Sequence, residues 1–437
     1  MEPEYAKIVR DAVHGYVHLT EKEVEIIDSL VFQRLRGIKQ LANTHLIYPG
    51  AVHTRFEHCL GTLEIAFRLA QRIKSLHGNW ERLRAIRYAA LLHDIGHGPF
   101  SHVFEDIVSR VSKKSDFRHE SVTLDIVRND NDLGKVLGED RDSVLDLLEG
   151  ENERFVEHCI INGPLDADKL DYLQRDSYHA GVAYGVFDST RVLHTLKEVK
   201  GRFLGTKESY LGVEMKGREA VIGMLLAYYY MHETVYNHKT RRIADAMLTR
   251  SVELAAKNDD NFDTSIFQYS KDDTAYLEIF KDFDDRRLLE IIFESTDDKA
   301  KQICQQLKER VLFKAVGRDL SAFPDRVRLN LMQLDPAKIE KLEEEIGAHL
   351  KIDPSYVIVD RQSISNPIYR EPYGVLPKPE IIYFQEEGEE PVELSNLPSP
   401  LSRTGMRTVE RFWIHFPMKK EEREEKEKLA KEFLSSL

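Results

Sequence analysis

Residues 91–100, Leu-Leu-His-Asp-Ile-Gly-His-Gly-Pro-Phe, end an apolar helical run on an adjacent imidazole and carboxylate, His93 and Asp94. Such a pair is costly to bury without partners, and the chain offers partners at two other places. His58 stands early in a helix that Arg55-Phe56-Glu57-His58 opens, and Asp168 stands within Asp166-Ala167-Asp168-Lys169-Leu170-Asp171-Tyr172. Mixed histidine and aspartate ligation from three helices suits a divalent ion that keeps open positions for water and substrate; a closed structural site would favour thiolates. Any one of these residues alone would read as a hydrogen-bonded core group. Together, His58, His93, Asp94 and Asp168 are the expected ligands, with Mg or Mn the first candidates and Fe, Ni or Zn behind them.

Acid/base groups crowd the same region. His97 follows His93 by four residues, His102 opens the next helix, Glu105 lies three residues beyond it, and Phe117-Arg118-His119-Glu120 adds another imidazole. Histidine titrates near neutrality, so such a cluster beside a metal can pass a proton to a leaving group. At about 100° per residue, Asp168, Tyr172, Arg175 and Asp176 fall near one helical stripe with Lys169 at its edge. On a later helix His232, Tyr236 and Lys239 share a face by the same spacing.

The elements that must hold these groups are mostly helical. Apolar periodicity predicts helices over residues 23–40, through Leu60, Leu63 and Ala66, over 83–93, and along a single long stretch at 220–255. Gly96, Gly98 and Pro99 should stop one helix and start the next, with proline in the first turn. The polar run at 257–261 marks a junction, dividing a helical domain at 1–256 from a smaller α+β domain at 257–437. In that second part Ile339, Leu342 and Ile346 predict an amphipathic helix, residues 356–359, 381–384 and 412–416 predict short strands, 366–379 an irregular loop, and 419–437 a charged terminal helix. The fold class expected is mainly α, a helical core with a C-terminal α+β appendage.

Composition narrows the function classes. A chain of 437 residues, 42% hydrophobic and 31% charged, has the apolar content of a globular protein. Its net charge of −13 argues against a surface built for nucleic acid. Three scattered cysteines fit a reducing compartment better than a disulfide framework, and neither a leader pattern nor a membrane-length apolar run is evident, so the cytoplasm is the expected location.

In the order His, His-Asp, Asp, these ligands make the chain resemble the HD-domain phosphohydrolases. Residues 11–15 (Asp-Ala-Val-His-Gly), 32–36 (Phe-Gln-Arg-Leu-Arg), 48–58 (Tyr-Pro-Gly-Ala-Val-His-Thr-Arg-Phe-Glu-His) and 98–102 (Gly-Pro-Phe-Ser-His) are similar to the deoxynucleoside triphosphate triphosphohydrolases. That subgroup includes the mammalian sterile-alpha-motif/HD-domain enzyme. The resemblance implies cleavage of dNTPs at the α-phosphorus to deoxynucleoside and inorganic triphosphate. It also implies roles by position: His119 as general acid, Glu105 as the carboxylate that orients it, His102 at the α-phosphate and His97 supporting the water. Gln40 and Asp176 would hydrogen-bond the 3′-hydroxyl, Tyr236 would crowd the 2′ position, and Arg55, Lys169 and Tyr172 would meet the phosphates, with His232 and Lys239 completing the substrate set. Lys7, Asp28, Gln33 and Arg36 match guanine-recognising positions, which implies activation by GTP or dGTP in a homo-oligomer, a dimer or a tetramer.

Three positions depart from the pattern. Glu105 stands where the family often has Asp, Arg10 where it has Asn, and Tyr228 where the mammalian relative has a triphosphate-binding arginine; Arg241, Arg242 or a neighbouring subunit would have to replace that cation. Two other readings follow: an HD nucleotide phosphatase or nucleotidase of broader specificity, favoured by Tyr228, and a nucleic-acid-binding HD regulatory protein, for which the basic helix end at 239–242 speaks and the acidic average does not.

Overall fold

The structure, a computed structural model, describes residues 4–113, 117–150, 155–203, 206–364, 382–397 and 409–436. The loop expected at 366–379 lies outside these. The chain opens with an antiparallel hairpin, Lys7–Asp11 against Gly15–Leu19. Its turn is fixed by Asp11, whose carboxylate accepts from the backbone of Val13 and His14 at 2.9 and 2.7 Å, and by Gly15 at a φ of +85°.

The expected helix over 23–40 stops early. It runs Glu21–Asp28, capped by Thr20 and Glu23, and ends where Ser29 turns extended and donates its hydroxyl to the Ile26 carbonyl at 2.7 Å. That local bond offers the backbone an alternative to another helical turn. A short turn Leu30–Gln33 and a 3₁₀ segment Arg34–Gly37 follow.

Helix Arg55–Ala70 is buried along nearly its whole length, as is Trp80–Leu92 from Ala85 onward, and the two pack together at the centre of the molecule. Burial on nearly every face makes them core helices, and the charged groups they bury are paired, as Arg87 is with Glu23. The helix expected from Pro99 starts instead at His102 and runs to Ser112, because Phe100 and Ser101 adopt left-handed backbone with φ of 56° and 57°. Helices His119–Asn129 and Ala167–Ala180 complete the cradle around the predicted ligands.

The single helix expected over 220–255 is two helices, Arg218–Met231 and Lys239–Asn258, joined by a π turn at His232–Tyr236 and a break at Asn237. A hairpin the sequence reading did not anticipate, Leu196–Phe203 with Thr206–Glu214, interrupts the helical part and pairs in parallel with Tyr383–Gln385.

The chain is mainly α, with small sheets. One hydrophobic core extends from Val17 to Leu394 and takes in helices Asp285–Glu294 and Asp298–Lys308, so the apolar packing divides later in the chain than the polar run at 257. A second core joins a three-stranded antiparallel sheet, with Val409–Phe416 between Lys314–Asp319 and Ile358–Ile364, to helices Pro336–Leu350 and Arg423–Ser436. Among the described residues no helix is long and apolar enough to cross a membrane.

Candidate active site

Local rules place each ligand. Glu57 accepts from the Thr54 amide at 2.8 Å, fixing the first turn of the helix that carries His58. Asp166 does the same for the Lys169 amide at 2.7 Å, so Asp168 sits in a first turn whose free N–H groups favour negative charge. His93 is the residue at which Trp80–Leu92 ends, and Asp94 follows into the turn. Gly96 lies where a methyl would overlap the His119 carbonyl and Thr123, so its lack of a side chain lets helix His119–Asn129 close over that turn.

The structure brings the four expected ligands together. His58 Nε2 lies 3.0 Å from Asp168 Oδ1 and 3.4 Å from Asp94 Oδ2; His93 Nε2 lies 3.6 Å from Asp168 Oδ1 and 3.5 Å from Asp94 Oδ1. His58, His93 and Asp94 offer ligand atoms within 4.8 Å of one another. His58 Nδ1 is 2.7 Å from Asp171 Oδ2, and His93 Nδ1 is 2.8 Å from the Ala90 carbonyl. With a proton on each Nδ1, both Nε2 atoms present lone pairs to the carboxylates, and both are buried without an aligned hydrogen bond. Inward lone pairs beside two carboxylates are what a divalent cation requires. The donor set fits a divalent metal.

The charges agree. Burial opposes ionisation of Asp94, but Arg55 foremost and then His93 hold its carboxyl well below the usual range. The Nε2 lone pair of His58 is the state a bound cation would leave; without one, burial works against the imidazolium, yet Asp168 and Asp171 outweigh it and push the group up to about 10. Asp168 is the most open ligand, its side chain 31% exposed.

A second cluster lies alongside. His97 Nε2 is 3.3 Å from Asp94 Oδ1, and the His97 ring stacks on His119 with centroids 3.6 Å apart. Glu105 Oε1 lies 2.7 Å from His119 Nδ1 and 3.1 Å from His102 Nδ1, and those two imidazoles drive its pKa down against the effect of burial. Ligand atoms of these four residues also lie within 4.8 Å of one another. Stacked rings, however, direct their in-plane lone pairs side by side rather than toward a common point, and Glu105 already accepts from two of the imidazoles. Such an arrangement can hold and pass protons.

The predicted substrate residues divide. Tyr236 Oη donates to Asp176 Oδ2 at 2.7 Å, and His53 Nε2 meets Asp176 Oδ1 at 2.7 Å. The Gln40 backbone N–H donates to the His53 carbonyl at 3.0 Å while its side-chain Oε1 is buried and without a hydrogen bond, so the backbone joins Gln40 to the wall that His53, Asp176 and Tyr236 form. Tyr172 links that wall to the ligands, with ring centroids 6.1 Å from Tyr236 and 6.5 Å from His58. Arg55 pairs with Asp94 and donates to Ser101 Oγ at 3.0 Å; Lys169 Nζ contacts Asp166 at 2.6 Å and the Gly163 carbonyl at 2.9 Å. His232 stacks on Tyr228 at 4.2 Å and meets Tyr236 edge-on at 4.9 Å.

Lys239 does not share that face. The break at Asn237 resets the helical phase, and its ammonium sits 4.8 Å over the Trp413 ring of the appendage. Arg242 is committed to Asp360, and Arg241 to the Tyr236 carbonyl and Asp245, so neither is a free replacement for the missing arginine. Arg175, expected near one stripe with Asp168, Tyr172 and Asp176, is buried and paired with Asp171 and Asp11. Lys7, Asp28 and Arg36 are exposed and Gln33 is half-buried. Arg36 Nε donates to Gln33 Oε1 at 2.8 Å and its guanidinium lies 3.5 Å over Phe56, while no hydrogen bond or ion pair joins Lys7 or Asp28 to that pair among the described residues. Sequence reasoning missed His53 and Asp171 as partners of the site, although His53 stands inside the 48–58 motif and Asp171 follows Asp168 by one helical turn.

A helical core that gathers His, His-Asp and Asp from three helices defines an HD-domain phosphohydrolase. The comparisons agree: residues 55–176 match the HD domain and 187–371 match the HD associated region. The Bacillus subtilis protein YwfO is 31% identical over 81% of this chain and 78% of its own length. A Methanocaldococcus jannaschii protein is 41% identical over 58% of this chain and 51% of its own, so the chain spans about half of that relative. The human deoxynucleoside triphosphate triphosphohydrolase SAMHD1 is 27% identical over 81% of this chain and 62% of its own. The crystal structure of a phosphohydrolase from Bacteroides thetaiotaomicron superposes with a TM-score of 0.74 at 25% identity, covering 94% of this chain and 100% of that one. The chain belongs to the HD-domain family that carries the HD associated region, and the SAMHD1 triphosphohydrolases are its homologues.

Proposed function

We propose that this HD-domain phosphohydrolase cleaves deoxynucleoside triphosphates at the α-phosphorus, releasing deoxynucleoside and inorganic triphosphate. The observation that carries this reading is the phenol–carboxylate pair of Tyr236 and Asp176 one aromatic ring away from the ligand set, with the buried Gln40 Oε1 free of a hydrogen bond: these groups would meet a sugar edge, Tyr236 on its 2′ side. A divalent metal held by His58, His93, Asp94 and Asp168 would supply charge neutralisation and an acidified water.

The chain's own groups do the rest. Arg55 and Lys169 bring positive charge to the phosphates, with Tyr172 beside them. His97 supports the water, and His102 contacts the α-phosphate. As the water oxygen bonds to phosphorus and the bond to the 5′-oxygen breaks, His119 donates its Nε2 proton to that oxygen, while Glu105 holds the opposite Nδ1–H and steadies the imidazolium. Homology to SAMHD1 supports the substrate class. Activation by GTP or dGTP at Lys7, Asp28, Gln33 and Arg36 and assembly into a homo-oligomer belong to the same proposal.

The test is chromatographic product identification on each dNTP with Mn²⁺ or Mg²⁺, with and without GTP. Triphosphate with deoxynucleoside supports the reading, and orthophosphate release alone sinks it. A second reading, a broader nucleotidase, is favoured by one observation: Tyr228 stacks on His232 where a phosphate-binding cation was expected, and Lys239, Arg241 and Arg242 are engaged elsewhere. Faster turnover of mono- or diphosphates in the same assay would select it.

A further inference from the structure

Behind the ligand His58 lies a buried carboxylate to which no role has been given. Asp171 is fully buried and accepts from three sides: His58 Nδ1 at 2.7 Å, His14 Nε2 at 2.5 Å, and Arg175 through Nε and Nη2 at 2.8 and 2.9 Å. Arg175 in turn pairs with Asp11 at 2.9 Å, and Asp11 closes the turn that presents His14. The N-terminal hairpin is thereby tied to the back of a metal ligand. A second observation shows that the fold makes room for this arrangement. Gly61, one helical turn after His58, lies where a methyl would overlap both Asp171 and Arg175. Only a residue without a side chain lets the carboxylate reach the imidazole.

We infer that Asp171, held by His14 and Arg175, is a positioning residue that fixes the ring orientation and tautomer of His58 and so sets the metal affinity of the site. By accepting from Nδ1–H, Asp171 leaves the Nε2 lone pair facing Asp94 and Asp168, and a hydrogen-bonded carboxylate behind an imidazole makes it a stronger donor. The inference rests on the proposed metal ligation by His58.

The test is calorimetric titration of the metal-stripped full chain with Mn²⁺, alongside the visible spectrum with Co²⁺, for wild type, Asp171→Asn and His14→Ala, with thermal melts to establish folding. Asp171→Asn should bind Mn²⁺ roughly 10- to 100-fold more weakly and shift the Co²⁺ bands, which report ligand orientation. His14→Ala should move both in the same direction by less. A folded Asp171→Asn protein with wild-type affinity and spectrum overturns the inference; should that variant not fold, an unchanged His14→Ala protein overturns it. Failure of the wild type itself to bind either ion would instead refute the metal reading, a result visible before any variant is compared.

Discussion

Two histidine clusters stand side by side in this molecule and are wired differently. In the His58–His93 pocket each Nδ1 is tied outward, to Asp171 and to the Ala90 carbonyl, and each Nε2 is buried and faces Asp94 and Asp168 without an aligned hydrogen bond. In the neighbouring cluster the acceptor is Glu105, which engages His102 and His119 at their Nδ1 atoms, and His102 is 62% exposed. The first arrangement points both Nε2 atoms at Asp94 and Asp168 and is open chiefly at Asp168. The second shares one carboxylate between two imidazoles and is the more open at His102. In both clusters the residues just named are tethered through Nδ1, so the two differ in what faces Nε2 and in exposure rather than in which nitrogen is held.

This contrast can be broken by mutation, and the largest effect should come from the ligands. Asp168→Ala removes a carboxylate from the first cluster and should lower turnover by about 10⁴-fold while abolishing stoichiometric Mn²⁺ retention, measured by metal analysis after gel filtration. His119→Gln should lower kcat by roughly 10²- to 10⁴-fold with Mn²⁺ retention intact; loss of metal in that variant would mean that the clusters are not separate. Glu105→Gln, which keeps the shape but weakens the hold on the His119 proton, should cost less, roughly 10- to 100-fold, read from the pH profile of kcat. Tyr236→Phe frees Asp176 from the phenol and removes the hydroxyl proposed to lie at the 2′ side of the sugar. It should relax the preference for dNTP over rNTP by about tenfold, measured by competing substrates in one mixture.

The smallest effect concerns a third kind of histidine. Burial, aided by Arg241, holds the His232 pKa down to about 4 against its usual 6.5, so the native state keeps it neutral. The unfolded chain takes up a proton below 6.5 and the folded one does not until near 4, so stability should fall as pH drops through that window. His232→Gln should flatten that slope in denaturant titrations at pH 7, 5.5 and 4.

The convergence of His58, His93, Asp94 and Asp168 was legible in the sequence because these residues sit at helix ends, where capping signals and apolar periodicity agree: Glu57 before His58, Asp166 before Asp168, and the apolar run into His93. The strands at 358–364, 383–385 and 409–416 followed the β-branched and aromatic runs that marked them. Where local rules conflicted, the reading failed. Asn237 ends one helical phase and His238 caps the next, so Lys239 reaches Trp413 instead of the pocket. Residues 196–203 carry Lys and Glu between their apolar positions, which reads equally well as a helix, and only pairing with 206–214 decides. Asp171 drew no reading from its spacing, and it and Arg175 are buried because Gly61 lets the neighbouring helix close onto them. Such tertiary contacts leave no mark on spacing.

The central claim is attack by water at the α-phosphorus of a deoxynucleotide. Hydrolysis of dGTP with Mn²⁺ in H₂¹⁸O, followed by mass spectrometry of the products, tests it most directly. The account predicts one ¹⁸O in inorganic triphosphate and none in deoxyguanosine. Label in the 5′-hydroxyl of the nucleoside, or label appearing in orthophosphate alone, would contradict it.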